Sequence, residues 1–475
     1  MNTTSPKSFL ENSIPDDTIC AVATAAGGAI GIVRVSGPNA IEVTNKVFRP
    51  LGGKTLAERK AYSLTFGSIV NEAGDTLDEV LVSLFRAPHS YTGEDCTEIS
   101  CHGSLYILQQ VMQQLIHNGC RTAKPGEFTQ RAFLNGKFDL SQAEAVADLI
   151  ASTSAATHRL AMNQMKGGFS KELGALRDQL LHLTSLLELE LDFSDHEDLE
   201  FADRTELQNL AEKIEATIQT LCNSFSLGNA IKNGVPVAII GETNTGKSTL
   251  LNTLLKEDKA IVSDIHGTTR DVIEDTINIG GTLFRFIDTA GIRQTTDTIE
   301  NIGIEKTFQK IKQADIILWL IDATQKYNPE KLEADILSRS QGKHLILLIN
   351  KCDLISETQQ ESLTRHFSKL GHPLHFISAK TAQHIRELEA LLVESAAIPA
   401  ISQNDLIVTN ARHYEALSKA HEAVKRVIND LKLGISGDFI SQDLRECIHH
   451  LSDIIGDVAP SSVLQNIFKN FCVGK

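Results

Sequence analysis

Residues 241–248 read Gly-Glu-Thr-Asn-Thr-Gly-Lys-Ser, and this stretch decides the fold of the segment around it. It follows the apolar run Val-Ala-Ile-Ile, which is typical of a buried β-strand, and precedes Thr-Leu-Leu-Asn-Thr-Leu-Leu, which is typical of a helix. A glycine-rich turn between a strand and a helix is the setting of a phosphate-binding loop. Its backbone N–H groups can surround phosphates, Lys247 supplies a point charge, and the Ser248 hydroxyl can ligate magnesium.

Further motifs at predicted strand ends, and in a loop between them, point to a guanine nucleotide. Asp288–Gly291 closes an apolar strand, where the carboxylate can act on magnesium through its water shell and the glycine N–H can meet the terminal phosphate. Asn350–Asp353 closes another strand, and its aspartate can accept from N1 and the exocyclic amino group of guanine. Ser378–Lys380 closes a third strand, where a backbone N–H can meet the guanine oxygen. In the loop Gly267–Asp271, a threonine hydroxyl can reach magnesium when the third phosphate is present.

One position departs from the signalling type of nucleotide switch. The residue after Gly291 is Ile292, where a water-positioning glutamine would be expected, so hydrolysis needs another water organiser and another positive charge. Glu300 and Glu305 lie just downstream and could act through a water, although each also reads as an ordinary solvated helix carboxylate. The side-chain oxygen of Asn244 could help to bind a monovalent cation or could stabilise the turn.

The spacing of apolar residues divides the chain into segments of different texture. From about Thr18 to Cys120, short strands broken by turns and helical pieces predict an α+β module. From about Glu127 to Leu227, three-and-four spacing predicts long antiparallel helices, interrupted at 167–168. From Val235 to about Ala397, strands alternate with helices, which is the signature of a parallel sheet built from βαβ units. After Asn404 the chain is again helical, so we expect the α/β unit to be inserted into a helical domain.

Composition excludes several classes of protein. Of the 475 residues, 42% are hydrophobic and 22% are charged, which excludes a fully disordered or multi-span membrane chain. The formal net charge of −15 means that bulk charge cannot attract nucleic acid. The eight cysteines have no C-x-x-C spacing, which argues against a zinc ribbon and against a disulfide framework. The N-terminus has no apolar signal region, so we expect a cytoplasmic protein without a membrane segment.

Several blocks of sequence carry a resemblance over nearly the whole chain. They are the nucleotide motifs GETNTGKST, GTTRD, DTAGIR and NKCD, the N-terminal GIVRVSG and SYTGEDCTEISCHG, the block KPGEFTQRAFLNGKFDLSQAEAVADLI, and FCVGK at 471–475. With them the chain resembles the bacterial tRNA-modification GTPase family MnmE, also called TrmE. The last two blocks are far more specific than a phosphate-binding loop.

The resemblance implies an α/β and α+β multidomain fold. A folate-binding α+β domain at 1–120 would form homodimers, a discontinuous helical domain would cover 121–228 and 398–475, and a Ras-like G domain would cover 229–397. The family is a potassium-stimulated GTPase that works with a flavin-dependent partner of the MnmG (GidA) kind. Together they use a folate one-carbon unit to place an aminomethyl or carboxymethylaminomethyl group on carbon 5 of the wobble uridine of tRNA.

The resemblance also carries residues of the nucleotide site over by position. It implies that Mg²⁺ is held by Ser248 and Thr269, and that Glu300 is the catalytic carboxylate, with Lys247 and Cys472 as further catalytic candidates. The residues implied to hold K⁺ are Asn244, Ser263, Ile265 and Thr268. The residues expected to bind GTP or GDP are Asn244, Thr245, Gly246, Lys247, Ser248, Thr249, Ser263, Asp264, Ile265, His266, Gly267, Thr268, Thr269, Asp288, Thr289, Ala290, Gly291, Asn350, Lys351, Cys352, Asp353, Ser378, Ala379 and Lys380.

A second site is implied for 5-formyltetrahydrofolate, at Arg34, Glu98, Lys137 and Lys475. Their chemistry is suitable, because a folate has a glutamate tail that needs a cation and a pterin whose ring donors suit a carboxylate. From the residues alone, the reading as an ordinary surface, strand or turn residue is favoured for each. Cys472 is a nucleophile only if its pKa is lowered, and a packed thiol is an equal alternative. His102 could be a general base or a structural residue.

Two other classes of protein use similar nucleotide motifs. A ribosome-assembly or RNA-chaperone GTPase switch usually carries a basic RNA-binding module, which this chain of net charge −15 does not offer. A metabolic folate enzyme with a regulatory G domain is the other alternative. Analysis of wobble nucleosides in a deletion strain separates all three.

Overall fold

The computed structural model describes residues 16–25, 27–192, 204–258, 275–287, 308–325, 332–399, 405–458, 461–469, 471 and 474. The chain divides into two compact units. The first unit takes in Met1–Ala151, Ala161–Thr220 and Glu415–Lys475, and the second takes in Ser152–Leu160 and Leu221–Tyr414. The three-domain division of the sequence stays a prediction.

The first unit begins with a seven-stranded sheet. Its strands are β1 (Thr18–Val22), β2 (Ile30–Ser36), β3 (Phe48–Pro50), β4 (Ser63–Val70), β5 (Thr76–Phe85), β6 (Cys96–His102) and β7 (Cys120–Thr122). They are ordered β3-β4-β5-β6-β2-β1-β7, and only the pair β1–β7 is parallel. The helices of this module are α1 (Ala40–Val47) and α2 (Leu105–His117), so the predicted α+β module is confirmed.

The alternation of side chains decides which face of this sheet is buried. Val80, Val82 and Leu84 of β5 are buried in a core that includes residues of α1 and α2. Leu81 lies between two of them and is exposed. Because successive side chains of a strand point to opposite faces, the other face of the sheet is open along β4 and β5 in the described part of the chain.

The next segment is helical. Its helices are α3 (Glu127–Leu134), α4 (Leu140–Ala151), α5 (Ala155–Met165), α6 (Gly168–Asp192) and α7 (Arg204–Asn233). The predicted long helices are confirmed, since α6 has 25 residues and α7 has 30. The predicted interruption is confirmed too, because Gly167 has a φ of +80°, a left-handed conformation that ends a helix. Their antiparallel arrangement stays a prediction.

The second unit contains a six-stranded sheet. Its strands are β8 (Val235–Ile240), β9 (Asp275–Ile279), β10 (Thr282–Phe286), β11 (Ile316–Asp322), β12 (His344–Asn350) and β13 (Leu374–Ile377), and its helices include α8 (Lys247–Asp258), α9 (Leu332–Arg339), α10 (Glu357–Phe367) and α11 (Ile385–Ala396). The order is β13-β12-β11-β8-β10-β9, and every neighbouring pair except β10–β9 is parallel. Apolar strands buried on both faces explain the continuous Ile, Leu and Val runs.

The strands predicted to form a parallel sheet do pair in parallel, and the structure adds one unpredicted edge strand, β9, which pairs with β10 in the antiparallel direction. Gly280 and Gly281 join the two strands with φ values of +59° and +85°. Such a two-residue turn matches the twist of the flanking strands and reverses the chain at once. A parallel connection would need a crossover of a dozen or more residues, for which there is no room here.

The C-terminal helices are α12 (Ala411–Leu433), α13 (Gly437–Ile455) and α14 (Ser461–Lys469). Leu464 and Phe468 of α14 pack against Leu140 and Ala143 of α4. This packing belongs to the first unit and brings the end of α14 to the segment that follows β7. None of the helices in the described residues is both long enough and apolar enough to cross a bilayer.

Candidate functional site

The phosphate-binding loop connects β8 to α8, as predicted. Its backbone needs glycine at both ends, because Gly241 has a φ of +148° and Gly246 a φ of +99°. A Cβ atom at Gly241 would lie 2.2 Å from the carbonyl oxygen of Leu320. A Cβ atom at Gly246 would lie 2.3 Å from Nδ2 of Asn350. The loop is therefore packed against the ends of β11 and β12 too closely for any other residue type.

Lys247 is the first residue of α8 and closes this loop. Its Nζ donates to the carbonyl oxygens of Gly241 at 2.9 Å and Glu242 at 2.6 Å. Burial, reinforced by the charge of Lys310, lowers the pKa of Lys247 from its ordinary value of 10.5. An anion beside the ammonium would offset the cost of burying its charge, so the loop favours a phosphate at this point.

Asn350 connects the phosphate loop to the end of β13. Its Nδ2 donates to the carbonyl oxygen of Thr245 at 2.7 Å, and its Oδ1 accepts from the N–H of Ala379 at 3.0 Å. The Asn350 side chain is buried, as are Thr245 and Ala379. Thr253 of α8 also donates to the carbonyl oxygen of Ala379, at 2.8 Å. The structure thus brings together three motifs that the sequence analysis assigned to one nucleotide.

The residues predicted to face the base lie at the same edge of the sheet. Asp353 and Lys380 are exposed there, while Ser378 is buried and accepts from the N–H of Thr381 at 3.3 Å. Asn244 in the phosphate loop is exposed, with a φ of +60°. This arrangement exposes a carboxylate and an amide to solvent, where each can meet a ligand.

Other predicted residues lie outside the described part of the chain. They are Ser263, Asp264, Ile265, His266, Gly267, Thr268, Thr269, Asp288, Thr289, Ala290, Gly291, Glu300, Cys472 and Lys475. Ile292 and Glu305 lie outside it as well.

The second predicted site is centred on Arg34 and Glu98, which are paired in register across β2 and β6. Nε and Nη2 of Arg34 approach Oε1 of Glu98 at 2.9 Å and 2.8 Å. The guanidinium carbon also lies 5.2 Å from the ring centroid of Tyr91 and 5.7 Å from that of Phe128. Arg34 is therefore held by a carboxylate and by two aromatic faces.

The C-terminal tail reaches the same place. Nη1 of Arg34 donates to the carbonyl oxygen of Gly474 at 3.4 Å, across 440 residues of sequence. Lys137 is exposed and donates to the carbonyl oxygen of Pro88 at 3.0 Å. Arg34, Glu98 and the tail are thus brought together, whereas Lys137 is fixed to the loop before β6.

Sequence reasoning missed a buried ion network beside this site. Arg131 is 1% exposed, and its guanidinium contacts Asp17 at 2.6 Å, Glu94 at 3.0 Å and Glu127 at 3.2 Å. Arg121 contacts two of the same carboxylates. The charged residues of the PGEF and RAF motifs are therefore structural, since they join the N-terminal strand region to α3.

His102 has a partner that its sequence position did not show. Its Nδ1 lies 2.7 Å from Oδ1 of Asp78, and its backbone N–H donates to Oδ2 of the same residue at 2.8 Å. The Asp78 side chain is buried and the imidazole is exposed. The carboxylate fixes the ring, which supports the structural reading of His102.

Comparison with known proteins gives consistent results over the chain. The profile of the MnmE helical domain matches residues 140–472, and that of the GTP-binding protein TrmE N-terminus matches residues 18–137. The tRNA modification GTPase MnmE of Phocaeicola vulgatus is 62% identical, over 97% of this chain and 99% of that protein. The proteins of the same name from Bacteroides fragilis and Flavobacterium johnsoniae are 66% and 50% identical, each over 97% of this chain.

Among solved structures, translation elongation factor SelB from Methanococcus maripaludis is similar over 35% of each chain. The two share 18% identity with a TM-score of 0.27. A similarity of this size supports no statement on function.

Proposed function

The chain belongs to the MnmE family of tRNA modification GTPases, and we propose that it hydrolyses GTP in order to modify the wobble uridine of tRNA. The observation that carries the proposal is the Asn350 side chain. It joins Thr245 of the phosphate loop to Ala379 of the base-facing motif, at 2.7 Å and 3.0 Å. A single nucleotide bound at this edge of the sheet would contact both.

We infer that the phosphates lie in the loop and the guanine faces Asp353. The Gly246 N–H and the Lys247 ammonium would hold the phosphates, and the exposed Asp353 carboxylate would accept from the two N–H donors of the guanine edge. Ser248 fits a magnesium ligand, since it lies in the first turn of α8 and the structure shows no hydrogen bond from its hydroxyl to another described residue. Bound Mg²⁺, with Thr269 as a further ligand, would neutralise charge on the phosphate oxygens.

Hydrolysis requires groups that replace the missing glutamine at Ile292. We propose that Glu300 orients the attacking water and that Asn244 helps to hold K⁺, together with Ser263, Ile265 and Thr268. The exposure of the Asn244 side chain supports this role. A bound K⁺ would supply the positive charge that an arginine supplies in other switches.

The Arg34 site suits a folate in its chemistry. The Arg34–Glu98 pair offers donors and an acceptor side by side, and Tyr91 and Phe128 supply aromatic surface next to them. We propose that Arg34, Glu98, Lys137 and Lys475 hold 5-formyltetrahydrofolate or a related folate. The bound folate would supply the one-carbon unit. Cys472 lies near this site in sequence and stays a catalytic candidate.

We also propose a homodimer formed through the open face of the N-terminal sheet. Phe66 and Leu81 are paired in register there and are 45% and 40% exposed, with Leu64 beside them at 60%. Adjacent exposed apolar residues on a sheet mark an interaction surface. Phe66→Asp is expected to yield a monomer in light scattering. Phe439→Asp, which changes an even more exposed aromatic on α13, is expected to leave the dimer intact. A dimeric Phe66→Asp variant would assign the interface to another surface.

The net charge of −15 leaves much of the tRNA contact to a partner. We propose that this partner is a flavin-dependent protein of the MnmG (GidA) kind and that the reaction takes place in the cytoplasm. The decisive experiment is mass spectrometry of tRNA nucleosides from a deletion strain, complemented with the wild-type chain or with Asn350→Ala. Modified wobble uridine should return only with the wild type. Normal modification in the uncomplemented deletion strain would refute the proposed function.

A further inference from the structure

Asp322 ends β11 in register with Asn350 at the end of β12. Asn350 belongs to a nucleotide motif, whereas nothing in the sequence analysis assigned a role to Asp322. It is 5% exposed, although it lies at the edge of the sheet where the phosphate loop and the base-facing motifs meet. An acidic residue buried to this extent needs partners that favour its charged form.

Both oxygens of the carboxylate have such partners. Oδ1 accepts from the N–H of Thr324 at 2.9 Å and from its hydroxyl at 2.7 Å. Oδ2 accepts from Nζ of Lys351 at 2.6 Å. Burial alone would raise the pKa of Asp322, but these hydrogen bonds outweigh it and hold the pKa below its usual value of 3.8. The group is therefore an anion at neutral pH.

Lys351 is fixed at both ends of its side chain. Its backbone is left-handed, with a φ of +65°, which is uncommon for a residue with a Cβ atom. Its ammonium is bound to Asp322, and its side chain is 31% exposed. These two constraints restrict the conformation of the aliphatic stem. Lys351 directly follows Asn350 and comes two residues before Asp353. A lysine stem held in this way presents a flat apolar surface with a positive end.

We propose that Asp322 is a positioning residue, which holds the Lys351 stem as the surface on which the face of the purine rests while Asp353 recognises its edge. The inference rests on the proposed binding of guanine nucleotides. Asp322 itself does not touch the nucleotide. Asp322 would affect the affinity for any nucleotide with a purine ring. Asp353 would determine the selectivity between guanine and its analogues.

The test measures the affinity of the full chain for GDP, IDP and ADP by calorimetry. IDP lacks the exocyclic amino group, so the ratio of GDP affinity to IDP affinity reports on recognition of the edge of the base. A parallel change in the affinities for GDP and IDP reports on contact with the face of the base. Asp322→Asn keeps the shape and an acceptor for Thr324 but weakens the hold on Lys351. We expect both GDP and IDP to bind about tenfold more weakly, as for loss of one charged hydrogen bond, at an unchanged GDP to IDP ratio.

Additional variants separate positioning from general damage to the fold. Lys351→Met keeps the stem without the charge, and the effects of Asp322→Asn and Lys351→Met should be less than additive if they act through one pair. Thr324→Val, at an exposed position, removes one hydrogen bond to Asp322 and should show a smaller loss of the same kind. Glu361→Gln breaks an exposed ion pair with Arg365 in the same unit and serves as the control without effect.

Three results would overturn the inference: unchanged GDP affinity in Asp322→Asn, a changed GDP to IDP ratio, or strictly additive effects of Asp322→Asn and Lys351→Met. Failure of the proposed function is a different result, because the wild-type chain would then bind ADP as well as GDP. The wild-type measurement therefore decides that question before any variant is compared.

Discussion

A Cβ atom at Gly474 would lie 2.3 Å from the carbonyl oxygen of Val22. The φ of Gly474 is +92°, so both the backbone conformation and the space exclude a side chain. The tail is thus pressed against β1, where its carbonyl oxygen meets Arg34.

Gly474→Ala should therefore displace the tail from the Arg34 site. We expect folate affinity, measured by calorimetry, to fall by about tenfold or more, which corresponds to ~1.4 kcal/mol. Basal GTP hydrolysis should not change, because the phosphate loop lies in the other compact unit. Gly74→Ala is the matched control, since Gly74 has a φ of +88° but no atom within 4 Å of its added Cβ. Equal folate affinity in the two variants would show that the tail does not contribute to the folate site.

Asp353→Asn should change the choice of base. The amide presents a donor where the carboxylate accepts, so preference should move from GTP toward xanthosine triphosphate. Competition between the two nucleotides for the full chain measures the change. If the variant still prefers GTP as the wild type does, Asp353 does not contact the guanine edge.

Potassium should accelerate hydrolysis strongly relative to sodium. The chain has Ile292 where a glutamine would position water, so we expect the cation at Asn244 to supply part of the missing stabilisation. Glu300→Ala should lose turnover while it retains nucleotide binding, because its carboxylate would act on the water and not on the nucleotide. Phosphate release measured in potassium and in sodium tests the effect of the cation. Equal rates in the two salts would exclude a role for potassium in hydrolysis.

The ion network around Arg131 should make the first unit sensitive to acid. Burial alone would raise the pKa of Asp17 and of Glu127, but Arg121 and Arg131 outweigh it and hold both below their usual values of 3.8 and 4.5. Carboxylates with lowered pKa values stabilise the fold fully above the unfolded values, and this contribution is lost as the pH falls through the folded ones.

The melting temperature of the wild type should therefore drop as the pH is lowered from about 6 to about 3, and the drop should be smaller in Glu127→Gln. The variant should already be less stable near neutral pH, because Arg131 loses a charged partner. Calorimetry across this range gives both values. An identical acid-induced drop in the two proteins would show that Glu127 does not contribute through its charge.

The phosphate loop and the strands around it could be predicted because their signals are local. The strand, the glycines and the helix follow one another within residues 235–258, and each pattern has a direct physical cause. The edge strand β9 was missed because its pairing depends on the Gly280–Gly281 turn, which the alternation of strands and helices does not reveal.

Buried charges could not be predicted for a different reason. Arg131 meets Asp17 across 114 residues of sequence, and no local pattern records such a pairing. Asp322 did have a signal, since it ends an apolar strand just as Asn350 does. The motif around Asn350 has a known chemistry that the sequence alone displays, whereas the position of the Asp322 carboxylate beside it follows only from the register of β11 and β12.

The shared amide of Asn350 has a consequence for the rate at which a nucleotide leaves. One side chain satisfies both Thr245 and Ala379, so a displacement of Asn350 would break a buried hydrogen bond to each loop. A nucleotide bound as proposed would then lose its base-side and phosphate-side supports together when Asn350 moves. A protein that displaced Asn350 is expected to hasten exchange of the whole nucleotide.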